Sequence, residues 1–185
     1  MRILAISGSL RAGSYNTSLL RALGEEAPAG IEVELWHGLA GIPAYDADLD
    51  VVPGPEPVET LRTLVRSVDG VFFATPEYNS SVPGALKNAR DWASRPIATN
   101  AFRNKPVAVV SSSAGAFGGV WAAAELRKVL GAMGARVTEA ELSVGHAHEK
   151  FDDEGNLVDE DLRQGLRDAF ETLVAEIPSD ALAAA

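Results

Sequence analysis

The chain has 185 residues, 46% of them hydrophobic, which is enough for one compact domain around one sizeable core. Its 26 acidic residues outnumber 16 basic ones, and the net charge of −10 works against non-specific binding to nucleic acid or anionic lipid. Cysteine is absent, which excludes disulfides, thiolate metal sites and a thiol nucleophile, so any redox chemistry must be borrowed from a cofactor. No apolar run approaches the roughly 20 residues of a membrane span, and MRILAISGSL is too short for the apolar core of a signal peptide. No membrane partner and a cytoplasmic location are expected.

In chain order, residues 2 to 7 form a short apolar run of the kind buried on both faces of a parallel sheet. A helix is predicted over Asn16 to Glu26, with Leu19, Leu20 and Leu23 on one face. The alternating Ile31 to Trp36 predicts an edge strand, and the Pro- and Gly-containing stretch from Leu39 to Pro55 a long surface loop. Pro57 to Val68 is a helix carrying Val58, Leu61, Val65 and Val68, followed by a buried strand over Gly70 to Thr75. Pro83 to Ala93 is helical, with proline near the first turn where its missing N–H is harmless. A strand over Lys105 to Ser111, a helix over Val120 to Met133, an alternating strand over Ala135 to Leu142 and a helix over Asp159 to Ile177 complete the series. Strands alternating with helices predict right-handed crossovers and an α/β three-layer sandwich around a parallel sheet of five strands. Because the second and fifth strands alternate most, the expected order is 2-1-3-4-5. One domain over 1 to 185 is expected, with residues 179 to 185 frayed.

In such a sheet, ligands sit beyond the carboxyl ends of the strands, where three loops should converge. The first, GSLRAGSYN over residues 8 to 16, runs straight into a helix and presents free N–H groups at its positive end. Ser9, Ser14, Asn16 and Thr17 offer neutral donors and Arg11 a charged fork. The loop lacks the lysine of a triphosphate-binding P-loop and the third glycine of a dinucleotide loop, so a terminal phosphate suits it better. A plainer reading is a strand-to-helix turn capped by Ser14 or Asn16. The second loop contains Pro76, which stiffens it, with Glu77, Tyr78 and Asn79 suited to a flat heterocycle. There too, a solvated acid, a rim aromatic and serines capping the next helix would account for the residues. The third loop, with Ser112, Ser113, Gly115, Gly118 and Gly119, allows close backbone approach to a planar group, or is simply a flexible turn.

Together, Gly8-Ser9-Leu10-Arg11 with Ser14 and Asn16, then Pro76-Glu77-Tyr78-Asn79, Ser81-Val82-Pro83-Gly84, Leu86-Lys87-Asn88-Ala89, Asp91-Trp92, Ser112-Ser113, Gly115 and Gly118-Gly119 resemble the NAD(P)H-dependent FMN reductase family. The resemblance is strongest to its chromate and quinone reductase branch and extends to DDEGNLVDEDL near the end. It implies a flavodoxin-like fold binding FMN without a covalent link. It places the phosphate among Ser9, Arg11, Ser14 and Asn16 with Thr17 nearby, and borders the isoalloxazine with Pro76, Glu77, Tyr78 and Asn79. Ser113 and Gly115 approach the pyrimidine side. The implied reaction passes hydride from NADPH or NADH through N5 of FMN to a small-molecule acceptor (a quinone, chromate, an azo compound or free flavin) in a ping-pong cycle. No side chain is required as a catalytic acid or base. A flavodoxin-type electron carrier without nicotinamide turnover is the alternative. The resemblance also implies a homodimer through the helix from Pro83 to Arg95. A homotetramer fits less well, because VWAAAELRK is alanine-rich where the branch carries larger side chains between subunits.

Other features carry less. His146 and His148 lack a spaced third ligand and read as a polar loop, so no metal site is expected. Residues 152 to 156, DDEGN, lack the alternating ligands of a calcium loop. Trp36, Trp92 and Trp121 read as packing or interface residues, and no Ser/His/Asp set suggests a hydrolase.

Overall fold

A computed structural model describes residues 1–178; the tail expected to fray, 179 to 185, lies outside the described residues. Its strands are β1 (Arg2–Ser7), β2 (Glu32–Trp36), β3 (Gly70–Thr75), β4 (Pro106–Ser112) and β5 (Arg136–Val144). All pair in parallel, in the order β2-β1-β3-β4-β5. The helices are α1 (Tyr15–Glu26), α2 (Glu56–Ser67), α3 (Gly84–Ala93), α4 (Val120–Ala132) and α5 (Glu160–Ala175). This is the strand order that the patterning implies and the flavodoxin-like fold that the resemblance implies, and the expected elements agree with it to within a residue or two at most ends.

β1, β3 and β4 are buried on both faces except at Arg2, which explains their nearly continuous apolar sequences. The sheet separates two apolar layers. Leu61, Leu86, Trp92, Leu126 and Phe73 belong to the layer under α2, α3 and α4. Leu19, Leu23, Phe72, Leu166 and Phe170 belong to the layer under α1 and α5. The chain therefore leaves β1 toward one face and β3 toward the other, which opens a crevice between their carboxyl ends. Strand register aligns Ser7 with Ala74 and Thr75 with Ser111 along that edge.

The segment Leu39 to Pro55 departs from the loop expectation. It contains the 3-10 turns Gly38–Gly41 and Ala47–Leu49, and buries Leu39 and Ile42. Trp92 Nε1 donates to Pro43 O at 2.9 Å, Asn88 accepts from Tyr45 N at 2.8 Å, and the Tyr45 ring meets Trp92 edge-on. The anchors come from a helix forty-odd residues later, so no local pattern announces them.

β5 runs two residues beyond its expected end and is irregular, since Val107 pairs with Val137 but Val109 with Glu141. Arg127 of α4 fills the irregularity, donating to Thr138 O at 2.6 Å, Val109 O at 3.1 Å and Ala140 O. Burial pulls its guanidinium below the usual arginine range. Arg127→Ala strands these carbonyls and is expected to cost about 2 kcal/mol. A melting temperature lower by about 4–8 °C in a calorimetric scan is the corresponding readout.

Candidate functional site

The three connections after β1, β3 and β4 meet at the carboxyl edge. Gly8 N donates to Ala74 O at 2.8 Å, which seats the first loop beside β3. A Cβ at Gly8 would lie 2.8 Å from Leu86 Cδ2 and 3.2 Å from Thr75 Oγ1, so a side chain there would push its neighbours aside. Beyond it, the amides of Leu10, Ala12, Gly13, Ser14, Tyr15 and Asn16 donate to nothing among the described residues. These N–H groups and the α1 dipole offer an anion unpaired donors and a favourable potential. Arg11 is exposed and its guanidinium lies 5.4 Å from the Tyr15 ring centroid. A cleft of about 300 Å³ opens beside the loop, lined in part by Ser9, Arg11, Thr17, Arg21, Trp36 and His37.

The hydroxyl and amide side chains of this loop have particular duties. Ser14 caps α1, accepting from Thr17 N at 3.4 Å, and Thr17 Oγ1 bonds Ser7 Oγ at 2.9 Å. Asn16 is buried and uses both polar atoms on one residue of β4: its Nδ2 donates to Ser112 O at 2.9 Å and its Oδ1 accepts from Ser112 N at 3.0 Å. The structure thus makes Asn16 a strut across the sheet edge, with Ser9, Arg11 and the loop amides facing the concavity's solvent side.

The second loop closes as a tight hairpin. Tyr78 N donates to Ser81 O at 3.0 Å and Ser81 N to Tyr78 O at 3.1 Å, while Asn79 and Ser80 have φ of 52° and 59°. Positive φ at both central residues is the type I′ pattern, which serine adopts at a cost. The amides of Asn79 and Ser80 find no acceptor among the described residues. Ser80→Gly relieves the left-handed strain and is expected to raise stability by about 1 kcal/mol, seen as a higher urea midpoint with an unchanged slope. Tyr78 is exposed at the rim. Pro76 follows buried Thr75, whose hydroxyl donates to Pro76 O at 2.9 Å. Glu77 turns to α4, accepting from Trp121 N and Ala122 N at 3.0 Å each, and so caps that helix.

The third loop is pinned at both ends. Ser113 N donates to Val144 O, Ala147 N to Ser113 O and Gly115 N to Ser113 Oγ. Gly118, at φ 64°, packs on Ser143 and Val144 so closely that a Cβ would lie 2.6 Å from backbone. Gly115 is different: a Cβ there would meet only Ser113 Oγ at 3.6 Å, so its missing side chain leaves open space at the site. Phe117 and Trp121 are exposed beside it, with ring centroids 5.1 Å apart.

The donor set suits FMN. A concavity of neutral N–H groups with one arginine matches a terminal phosphate, and the free hairpin amides and the bare Gly115 backbone suit the edge of a flat heterocycle. Sequence reasoning missed Glu125 of α4, which accepts from Ser81 Oγ at 2.7 Å and Val82 N at 3.3 Å. One acid in an alanine-rich helix gives no local signal for that role. His146 and His148 lie near one another, but no group of three metal-ligating side chains occurs among the described residues. No helix among them is long and apolar enough to cross a membrane.

Comparison with known proteins agrees with this geometry. The chain is 39% identical over 174 residues to an NAD(P)H-dependent FMN reductase of Pseudomonas aeruginosa, covering 94% of this chain and 93% of the relative. It is 40% identical over 163 residues to a quinone reductase of Escherichia coli, covering 86% of each. Among solved structures, a flavoenzyme NAD(P)H:(acceptor) oxidoreductase from Paracoccus denitrificans superposes with a TM-score of 0.84 at 31% identity, over 96% of this chain and 99% of that one. The family model described as NADPH-dependent FMN reductase matches residues 1–149, which hold all three loops, and the chain therefore belongs to that family.

Proposed function

We propose that this protein passes hydride from NAD(P)H by way of bound FMN to a quinone, in a ping-pong cycle. Membership of the family makes it an NAD(P)H-dependent, FMN-using oxidoreductase; the quinone acceptor and the cycle are the finer reading. Relatives named quinone reductase and 2-hydroxy-1,4-benzoquinone reductase support the acceptor class. The observation that carries the proposal is the meeting of an anion concavity with two loops that offer unpaired amides and open backbone at one sheet edge.

Bound FMN supplies the hydride-accepting and hydride-donating centre. The protein's part is binding and orientation. Ser9, Arg11 and the amides from Ala12 to Asn16 hold the phosphate, and the helix dipole of α1 favours its charge. The Asn79 and Ser80 amides meet the ring edge, where fixed N–H dipoles stabilise negative charge without reorganising, and Gly115, having no side chain, lets the ring come close. Tyr78, Phe117 and Trp121 give the open side an apolar rim suited to a nicotinamide or quinone ring. One open side imposes successive use by the two substrates.

The test is direct. Purified protein titrated with FMN should quench flavin fluorescence to a stoichiometric end point, and the loaded protein should oxidise NADPH with benzoquinone along parallel double-reciprocal lines. Chromate, an azo dye and free flavin complete the acceptor panel. Failure to bind FMN would end the proposal. Binding without nicotinamide turnover would favour an electron carrier.

A further inference from the structure

The hairpin and α4 exchange carboxylates. Glu77 reaches from the hairpin loop to the first amides of α4, at Trp121 and Ala122, while Glu125 reaches from the next turn of α4 back to Ser81 and Val82. These two bonded groups lie on either side of the strained residues Asn79 and Ser80. Non-glycine residues keep positive φ only where the surroundings over-determine the backbone. Glu77 is accounted for as a helix cap, but Glu125 lies in the second turn, where α4 needs no cap. The carboxylate instead satisfies one backbone and one hydroxyl donor of a loop forty-odd residues earlier.

Behind it lies an otherwise unexplained group. Arg90 of α3 is 2% exposed, its Nε donates to Leu86 O at 3.3 Å, and neither Nη1 nor Nη2 has a hydrogen-bond partner among the described residues. Burial pushes its guanidinium down to about 10, with Asp91 and Glu125 opposing the shift. The Ser81 hydroxyl chiefly holds the Glu125 carboxyl below the ordinary range, with the Val82 amide and the charges of Arg90 and Lys87 acting in the same direction. A buried cation without its own acceptor is costly, and a neighbouring anion lowers that cost. Arg90 and Glu125 therefore form a charged backing for the hairpin, contributed by the two helices that flank it.

We propose that Glu125 is a positioning residue, which from α4 fixes the Tyr78–Ser81 hairpin at the pitch that lets its free amides meet the flavin edge. This inference rests on the FMN reading above. Glu125 touches neither cofactor nor substrate in this scheme and acts through the hairpin, so its removal should change cofactor affinity more than fold stability.

The test uses the full chain and three variants. In Glu125→Ala, FMN affinity by fluorescence titration is expected to fall about tenfold, since a loosened loop must be ordered on binding. Hydrogen exchange at the Tyr78, Ser81 and Val82 amides, measured without flavin, is expected to accelerate at least about fivefold. Glu125→Gln keeps an acceptor but loses the charge, so both effects should be smaller, about threefold in affinity. Arg127→Ala serves as a comparator two residues away, with a lower melting temperature but FMN affinity within twofold of wild type. The proposal is overturned if Glu125→Ala binds FMN within twofold of wild type, whether or not exchange accelerates, or if Arg127→Ala loses affinity equally. A wild-type protein that takes up no FMN would instead sink the proposed function, leaving exchange at the three amides to judge the Glu125 contact by itself.

Discussion

Arg11→Ala is expected to weaken FMN binding about 10- to 100-fold while the melting temperature stays within a degree or two. The side chain is exposed and forms no ion pair with a described residue, so the fold gives up little when it is removed. On the proposed reading, what disappears is a charged hydrogen bond to a phosphate oxygen, about 1.5–3 kcal/mol, and each 1.4 kcal/mol is tenfold in affinity. Fluorescence titration at two salt concentrations checks the assignment, because the variant should also lose part of the salt dependence. Arg11→Lys should recover some affinity as a point charge without the fork. An affinity within threefold of wild type for Arg11→Ala would remove this residue from the phosphate site.

Asn16→Ala should have the largest effect on stability. It leaves the buried N–H and C=O of Ser112 without partners at the end of a central strand. With about 1–3 kcal/mol for each orphaned group, a loss of about 3 kcal/mol is expected, or about 6–12 °C in melting temperature. FMN affinity should fall as well, because the bond between α1 and β4 holds the phosphate loop beside the third loop. Asn16→Asp should be no better: a carboxylate cannot donate to Ser112 O, and it brings an unpaired charge into a buried position. A variant melting within about 2 °C of wild type would show that the strut contributes little.

How far the sequence discloses this protein depends on whether the signal is local. The apolar runs of β1, β3 and β4 are unmistakable because helices cover both faces, and Leu19, Leu20 and Leu23 mark α1 by spacing alone. The loops were legible as composition: glycine, hydroxyls and one arginine ahead of a helix. Their internal wiring was not. Nothing near Asn16 in the sequence announces its bonds to Ser112, 96 residues on, and Glu77 looks like a solvated acid until α4 arrives from forty residues on. The turn at Asn79 and Ser80 was hidden for another reason, because this pair lacks the glycine that usually announces positive φ. Likewise, the added length of β5 follows from Arg127 filling an irregularity, a tertiary event with no counterpart in the alternation of residues 135 to 142.

Because the sheet lies between the two apolar layers, the helices on one side pack on the strands and on each other rather than on those opposite. The crevice is the exception. The rim proposed for the phosphate leads into α1, while the loops proposed for the ring lead into α3 and α4, so a molecule seated there would be riveted to both halves. Unfolding on either side would release it, so a molecule bound there should raise the melting temperature of the whole.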